Sequence, residues 1–445
     1  MINKKIPKNI LSLAQLSLFG FLWFCSISLY AQQSNHKIMA LFFQLILLVI
    51  LIINLKFIKN NKLINRLNPT YLLSLLAITY LSAAIMTYYG FQKMYLIVQH
   101  LGSGTMLINN KIFLFGDLAH LTFAANCEER IQIGEPICDP FERPSNQNPH
   151  LIMLMRMLKL HNLFVIGIIF IILFYVTIIL LMNMQKNIRT ELLIAALSPV
   201  TFLALDRGNE IINIICLFPI FRFIQQKNNK QLLATLLLAF ITFFKFWPIF
   251  IVLLVLFYYW KNLKLINRFI LIGTIMYWLI NFNNIINMKK YTQNGSAFGL
   301  SFGLPLYGNS MSPKYILVIF IAAISLIVFL FFKRNRDFYK YSPQNSKIII
   351  IFIVYFIIWA SSINWSYRLL ILIPAICFLN ESDIPKKVSS DLSTLMLVTL
   401  LTIKLPITSV MTSSLAVIFI VIALRMIANQ NLHLIDRFKI NSSKF

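Results

Sequence analysis

Charge is what this chain has least of, and negative charge is the scarcer sign. Only 12% of the 445 residues are Asp, Glu, Lys or Arg, with 14 acids against 40 bases. So few charges exclude a soluble domain of any size. No CxxC or HExxH occurs, the six His are scattered, and Asp117 has no second acid at ligand spacing, so no metal constellation is expected. Neither GxGxxG nor a Walker sequence is present, which argues against cytosolic nucleotide use. Internal repeats, low-complexity tracts and soluble linkers are missing as well. Cysteine is sparse: Cys25, Cys216 and Cys377 lie in apolar runs and read as small core residues. That leaves Cys127 and Cys138, eleven positions apart, as a disulfide pair or as two free thiols.

What is abundant is apolar: 59% of the chain. Several runs approach the roughly 20 residues that a bilayer-spanning helix needs. The expected fold is an all-α polytopic membrane protein forming one transmembrane domain over residues 1–445. Spans are expected near 10–31, 38–58, 71–90, 162–184, 190–205, 209–224, 231–245, 247–260, 263–282, 313–332, 346–362, 367–380, 392–410 and 412–430, about 14 in all. The first run follows Lys4, Lys5 and Lys8. It reads either as a retained span or as a signal peptide cleaved after Ser28-Leu29-Tyr30-Ala31. Residues 91–161 are the longest interruption, an external loop holding six of the 14 acids: Asp117, Glu128, Glu129, Glu135, Asp139 and Glu142.

The net charge of +26 would point to nucleic acid in a soluble protein, but here the cations sit in short loops between spans. With both termini in the cytoplasm, 26 of the 40 Lys and Arg and six acids fall on the inner side. Positively charged loops stay inside, so this arrangement is favoured and Phe91–His161 faces outward. The runs 190–205, 209–224, 231–245, 247–260 and 367–380 are short for a bilayer. Their polar junctions, Asp206–Glu210, Lys245–Pro248 and Asn364–Arg368, all fall on the outer side. Short helices with charged outer ends imply a water-filled cavity opening outward.

Asp117, in Phe115-Gly116-Asp117-Leu118, has two readings. It is a helix N-cap at the bilayer surface, or it is a carboxylate base in a partly dry pocket. Asp206-Arg207-Gly208-Asn209-Glu210 packs three charges and a glycine between two apolar runs, which also suits a tight turn with an internal ion pair. Lys245 stands among Phe243, Phe244, Phe246 and Trp247, and Arg368 follows Asn364-Trp365-Ser366-Tyr367. Snorkelling is the plain account of each. Three cations, Arg207, Lys245 and Arg368, at three outward junctions also fit an anionic ligand such as a phosphate or pyrophosphate.

Taken in order, Gly116-Asp117-Leu118, Cys138-Asp139-Pro140-Phe141-Glu142-Arg143-Pro144, Arg207-Gly208-Asn209-Glu210, Lys245-Phe246-Trp247-Pro248 and Asn364-Trp365-Ser366-Tyr367-Arg368-Leu369 resemble glycosyltransferase family 87. The resemblance runs from about Phe91 to Cys377. It implies a GT-C-like membrane bundle in a bacterial plasma (inner) membrane. A polyprenyl-phosphate sugar would be the donor, an envelope glycan or lipid the acceptor, and no further cofactor is implied. Asp117 takes the place of the family's first-loop carboxylate, and Lys245 and Arg368 contact the lipid phosphate with Arg207 nearby. Asn209, Glu210, Asn364 and Tyr367 are supporting residues. The competing expectation is a non-enzymatic transporter or flippase, or a polymerase of lipid-linked glycans. A transporter calls for midplane ionisable residues and often repeated halves, whereas the candidate residues here lie outward.

Overall fold

The structure is a computed structural model. It describes residues 106–108, 111–113, 115–127, 148–160, 162–185, 189–196, 198–208, 211–226, 228–291, 301–302, 314–335, 346–361, 364–382, 384–402 and 406–442. The three expected spans before residue 91 lie outside these residues, as do Cys138, Asn209 and Glu210.

The protein is α-helical, with two short antiparallel ladders that the purely helical expectation did not include. By backbone contacts the chain divides into two compact units. The central unit comprises Leu73–Leu181 and Pro199–Asn294, and the terminal unit Met1–Leu72, Met182–Ser198 and Gly295–Phe445.

In the central unit, β1 (Met106–Ile108) pairs with β2 (Lys111–Phe113), with Leu107 opposite Ile112. Then come α1 (Gly116–Asn126), α2 (Pro149–Met157) and α3 (Leu163–Met184), the last crossing into the terminal unit at Met182. The unit continues with α5 (Pro199–Arg207), α6 (Ile211–Phe223), α7 (Asn229–Phe244), α8 (Ile249–Tyr259), α9 (Leu265–Ile280) and α10 (Phe282–Tyr291). α7 packs between α6 and α9, and α1 rests against α2 and α5. α3 carries no charge over its 22 residues and turns Val165, Ile169, Ile172, Val176 and Leu180 outward. A soluble core would bury those side chains; the hydrocarbon of a bilayer accepts them.

The terminal unit holds α4 (Arg189–Ala196), β3 (Ser301–Phe302), α11 (Lys314–Arg334), α12 (Ser346–Ser361) and β4 (Asn364–Trp365). A 3₁₀ segment, Ser366–Ile371, leads into α13 (Leu372–Asn380), and α14 (Lys386–Leu401) and α15 (Pro406–Ser442) complete it. β3 and β4 pair antiparallel. α13 is buried from Leu372 to Leu379 and packs on α12 and α14. Its all-round apolar sequence requires such a central place.

Two helices among the described residues are long and apolar enough to cross a membrane, Leu163–Met184 and Thr408–Asn429. The expected spans and the helices differ at several points. The run 190–205 is two helices, α4 and α5, because Pro199 cannot continue a helix without losing a backbone bond and clashing with the preceding turn. The run 392–410 ends at Leu401, and Pro406 opens the next helix. The run 367–380 begins as a 3₁₀ turn and becomes α-helical only at Leu372. By contrast, 231–260 is divided at Lys245–Pro248 as expected.

Candidate functional site

The centre of the site is the entry to α1. Phe115, the residue before the helix, has left-handed backbone angles (φ 58°, ψ 43°). For a bulky residue this conformation costs on the order of 1–3 kcal/mol. Burial offsets it: Phe115 is 1% exposed, and interring a phenyl group returns about 1.5–3 kcal/mol. Its ring lies across Gly167 of α3, where an added Cβ would come within 2.3 Å of Phe115 Cε2. Gly208 closes on the same turn from α5. A Cβ there would sit 3.1 Å from Leu118 Cβ and 3.3 Å from Phe115 Cβ, and its φ of +81° strains any residue with a side chain. Gly208 N donates to Ala204 O at 2.8 Å, the usual way a left-handed glycine ends a helix.

The consequence for the candidate base is positional. Asp117 is flanked in the chain by Gly116 and Leu118, so the turn that carries it is wedged between α3 and the Arg207-Gly208 end of α5. The cap position belongs to Phe115, and Asp117 is the second residue of α1. The N-cap reading of Asp117 is thereby replaced. An acid in the first turn suits the positive end of the helix dipole. Arg207, the last residue of α5, is buried. Asp117 and Arg207 therefore stand on adjoining elements. Asn209 and Glu210 lie outside the described residues.

The far end of α1 is fastened twice. Cys127 N donates to Ala124 O at 3.3 Å, and Arg156 Nη2 of α2 donates to the same carbonyl at 3.4 Å. A cation there also suits the negative end of the helix. Cys127 is disulfide-bonded, while Cys216 and Cys377 are free thiols. The expected partner, Cys138, lies outside the described residues.

A polar chain that the sequence did not single out begins at the start of α2. Asn148 is buried at the start of α2, and its Oδ1 accepts from His150 N at 3.1 Å, with Pro149 at the first helical position. The same oxygen accepts from Tyr277 Oη of α9 at 3.2 Å, and Asn148 Nδ2 donates to Phe243 O near the end of α7 at 3.5 Å. His150 Nδ1 and Tyr277 Oη form a further hydrogen bond. One residue thus joins the start of α2 to α7 and α9. Nothing in the sequence marked Tyr277 as the partner of Asn148.

Lys245 is half-buried and extended just beyond the last residue of α7, its N–H bonded to Ile241 O at 3.1 Å. Phe246 then packs edge-on against Trp278 of α9, with ring centres 5.3 Å apart. Lys245, Arg207 and the Asp117 turn belong to one unit. Arg368 is half-buried on the 3₁₀ segment of the terminal unit, just after Asn364 on β4 and Tyr367. Among the described residues no three His, Cys, Asp or Glu side chains gather as a metal site would require. No protein-family model, curated protein or solved structure matches this chain.

Proposed function

We propose that this protein is a membrane glycosyltransferase that moves a hexose, mannose being one candidate, from a polyprenyl-phosphate donor to an envelope glycan or lipid on the outer face of a bacterial plasma membrane. In this reading about 14 helices cross the bilayer, both termini are cytoplasmic and residues 91–161 face outward.

The supporting observation is the strained turn. Two glycines and a buried, left-handed phenylalanine fix the backbone that bears Asp117 beside the end of α5. Strain of this kind persists where the surroundings over-determine it, commonly at functional sites.

The acceptor hydroxyl gives its proton to the Asp117 carboxylate as its oxygen bonds to the sugar's anomeric carbon. The bond from that carbon to the phosphate breaks, and the electron pair leaves with the polyprenyl phosphate. Lys245 and Arg207, both of the central unit, would hold that phosphate and stabilise the charge that gathers on it, the role that the family resemblance also gives to Arg368. Asn209, Glu210, Asn364 and Tyr367 would support them.

The test is transfer of radiolabelled sugar from defined polyprenyl-phosphate donors in membranes containing the protein. Asp117→Asn keeps the shape and removes the proton acceptor, so transfer should fall by about 10²–10⁴-fold while the protein stays inserted and folded. A folded variant with near-normal transfer would remove Asp117 from the mechanism.

A further inference from the structure

At the other end of α7 from Lys245, a second constellation is built around a neutral residue. Gln231 is fully buried, and its amide makes four hydrogen bonds. Nε2 donates to Ile224 O at 2.9 Å and to Asn262 O at 3.1 Å. Oε1 accepts from Lys264 N at 3.1 Å and from Asn267 Nδ2 at 2.6 Å. The α6–α7 and α8–α9 connections are therefore tied into one surface, and Gln225 Nε2 adds a second tie to Tyr259 Oη at 3.0 Å.

That surface is basic without counter-charge in its own elements. Lys230, Lys261, Lys264 and Arg268 all sit on it, and no Asp or Glu occurs between Glu210 and Asp337. Its rim is apolar. The Arg268 guanidinium lies 4.8 Å from the ring centre of Trp260, which is itself 44% exposed. Phe257, Leu265, Ile266 and Phe269 beside it are exposed as well. Lys230 Nζ lies 5.5 Å from the Phe223 ring centre.

We infer that this surface binds the phosphate headgroups of anionic phospholipids. A free phosphate would satisfy the cations and leave the apolar rim unexplained. A lipid satisfies both, placing its phosphate among the cations and its acyl chains along Phe257, Ile266 and Phe269, with Trp260 at the level where aromatic side chains collect in membranes. The buried Gln231 amide supplies what net charge alone lacks, a fixed spacing of Lys264, Asn262 and the start of α7. This inference rests on the membrane assignment and not on the transferase reading.

The test uses full-length protein, delipidated in detergent and titrated with phosphatidylglycerol or phosphatidylcholine, with retained lipid counted by native mass spectrometry. Phosphatidylglycerol should be retained at least tenfold more strongly than phosphatidylcholine. Lys230→Gln, Lys261→Gln and Lys264→Gln together should erase most of that preference, at several-fold per cation. Removing the same number of cations from the terminal unit, at Lys333, Lys386 and Lys387, should leave it within about twofold. Equal retention of the two lipids by the wild type, or equal losses in the two triple variants, overturns the assignment. Loss of bound phosphatidylglycerol to excess inorganic phosphate also overturns it, by showing a phosphate site with no need of lipid. Sugar transfer plays no part in these readouts. Wild-type protein that stays dispersed without detergent would fail the membrane reading itself.

Discussion

The entry to α1 and the α12–α15 pair are both buried, but they are built on opposite terms. In the terminal unit, α12 and α15 meet along Phe352, Tyr355, Trp359, Thr412, Ser413 and Phe419. Phe352 and Phe419 stack in parallel with centres 4.0 Å apart. Tyr355 Oη donates to Thr412 O at 3.2 Å, and Trp359 Nε1 donates to Ser413 Oγ at 3.0 Å. Small hydroxyl residues let the helices approach, and the aromatic donors find acceptors across the interface, the usual solution where apolar contact alone gives little preference. No residue in that contact stands in a strained backbone conformation. At α1, a left-handed phenylalanine and a left-handed glycine face one another at the foot of the candidate base. One region is arranged for cohesion, the other to hold a particular backbone in place.

Substitutions on the two sides should therefore separate stability from activity. The largest effect on stability is expected at the cohesive side. Phe352→Ala removes a stacked, fully buried ring and should cost about 3–5 kcal/mol, read as a lower unfolding midpoint in detergent. Transfer per folded molecule should be retained, and a loss of transfer out of proportion to folding would break the comparison.

A smaller stability loss with a larger functional one is expected from Gly208→Ala. It forces a side chain into left-handed backbone against Leu118 and should cost roughly 1–3 kcal/mol. Because the displaced turn carries Asp117, transfer should fall tenfold or more even where the protein remains folded. Full activity in that variant would mean the turn's geometry is not what the site uses.

Cys127→Ser should cost roughly 2–3 kcal/mol in the chain-entropy estimate for a short ring, if its partner is Cys138. Mass mapping without reductant identifies the pair, and a bridge to another cysteine would redirect the loop. The smallest effect is expected from Trp359→Phe, which deletes one donor and leaves Ser413 with less to bind, at about 1 kcal/mol in thermal unfolding.

Much of the helical order was legible because hydrophobic runs and polar breaks carry it directly. Leu163–Met184 and the division at Lys245–Pro248 follow from composition and one proline. Two of the differences share a cause: Pro199 and Pro406 lay inside stretches read as single spans, and both begin helices. Proline does not always act so, since Pro219 sits within α6. Whether a proline ends a helix depends on what else satisfies the freed backbone groups, and that is tertiary information. The same limit applies at the site. Asp117, Arg207 and Lys245 stood out as charges in apolar surroundings, whereas the glycine at 167 and the Asn148–Tyr277 bond depend on elements distant in sequence. A single sequence marks unusual residues but not which of them face each other.

α15 has a further use as a measuring rod. Its 37 continuous residues span about 55 Å at 1.5 Å each, while the apolar segment Thr408–Asn429 accounts for about 33 Å of that length. With that segment in a bilayer, the remaining helical turns project about 20 Å beyond it as a stiff arm. A donor dye attached near Ser442 would then report its height above an acceptor-labelled lipid surface, and any tilt of α15 during turnover would be read as a change in that height.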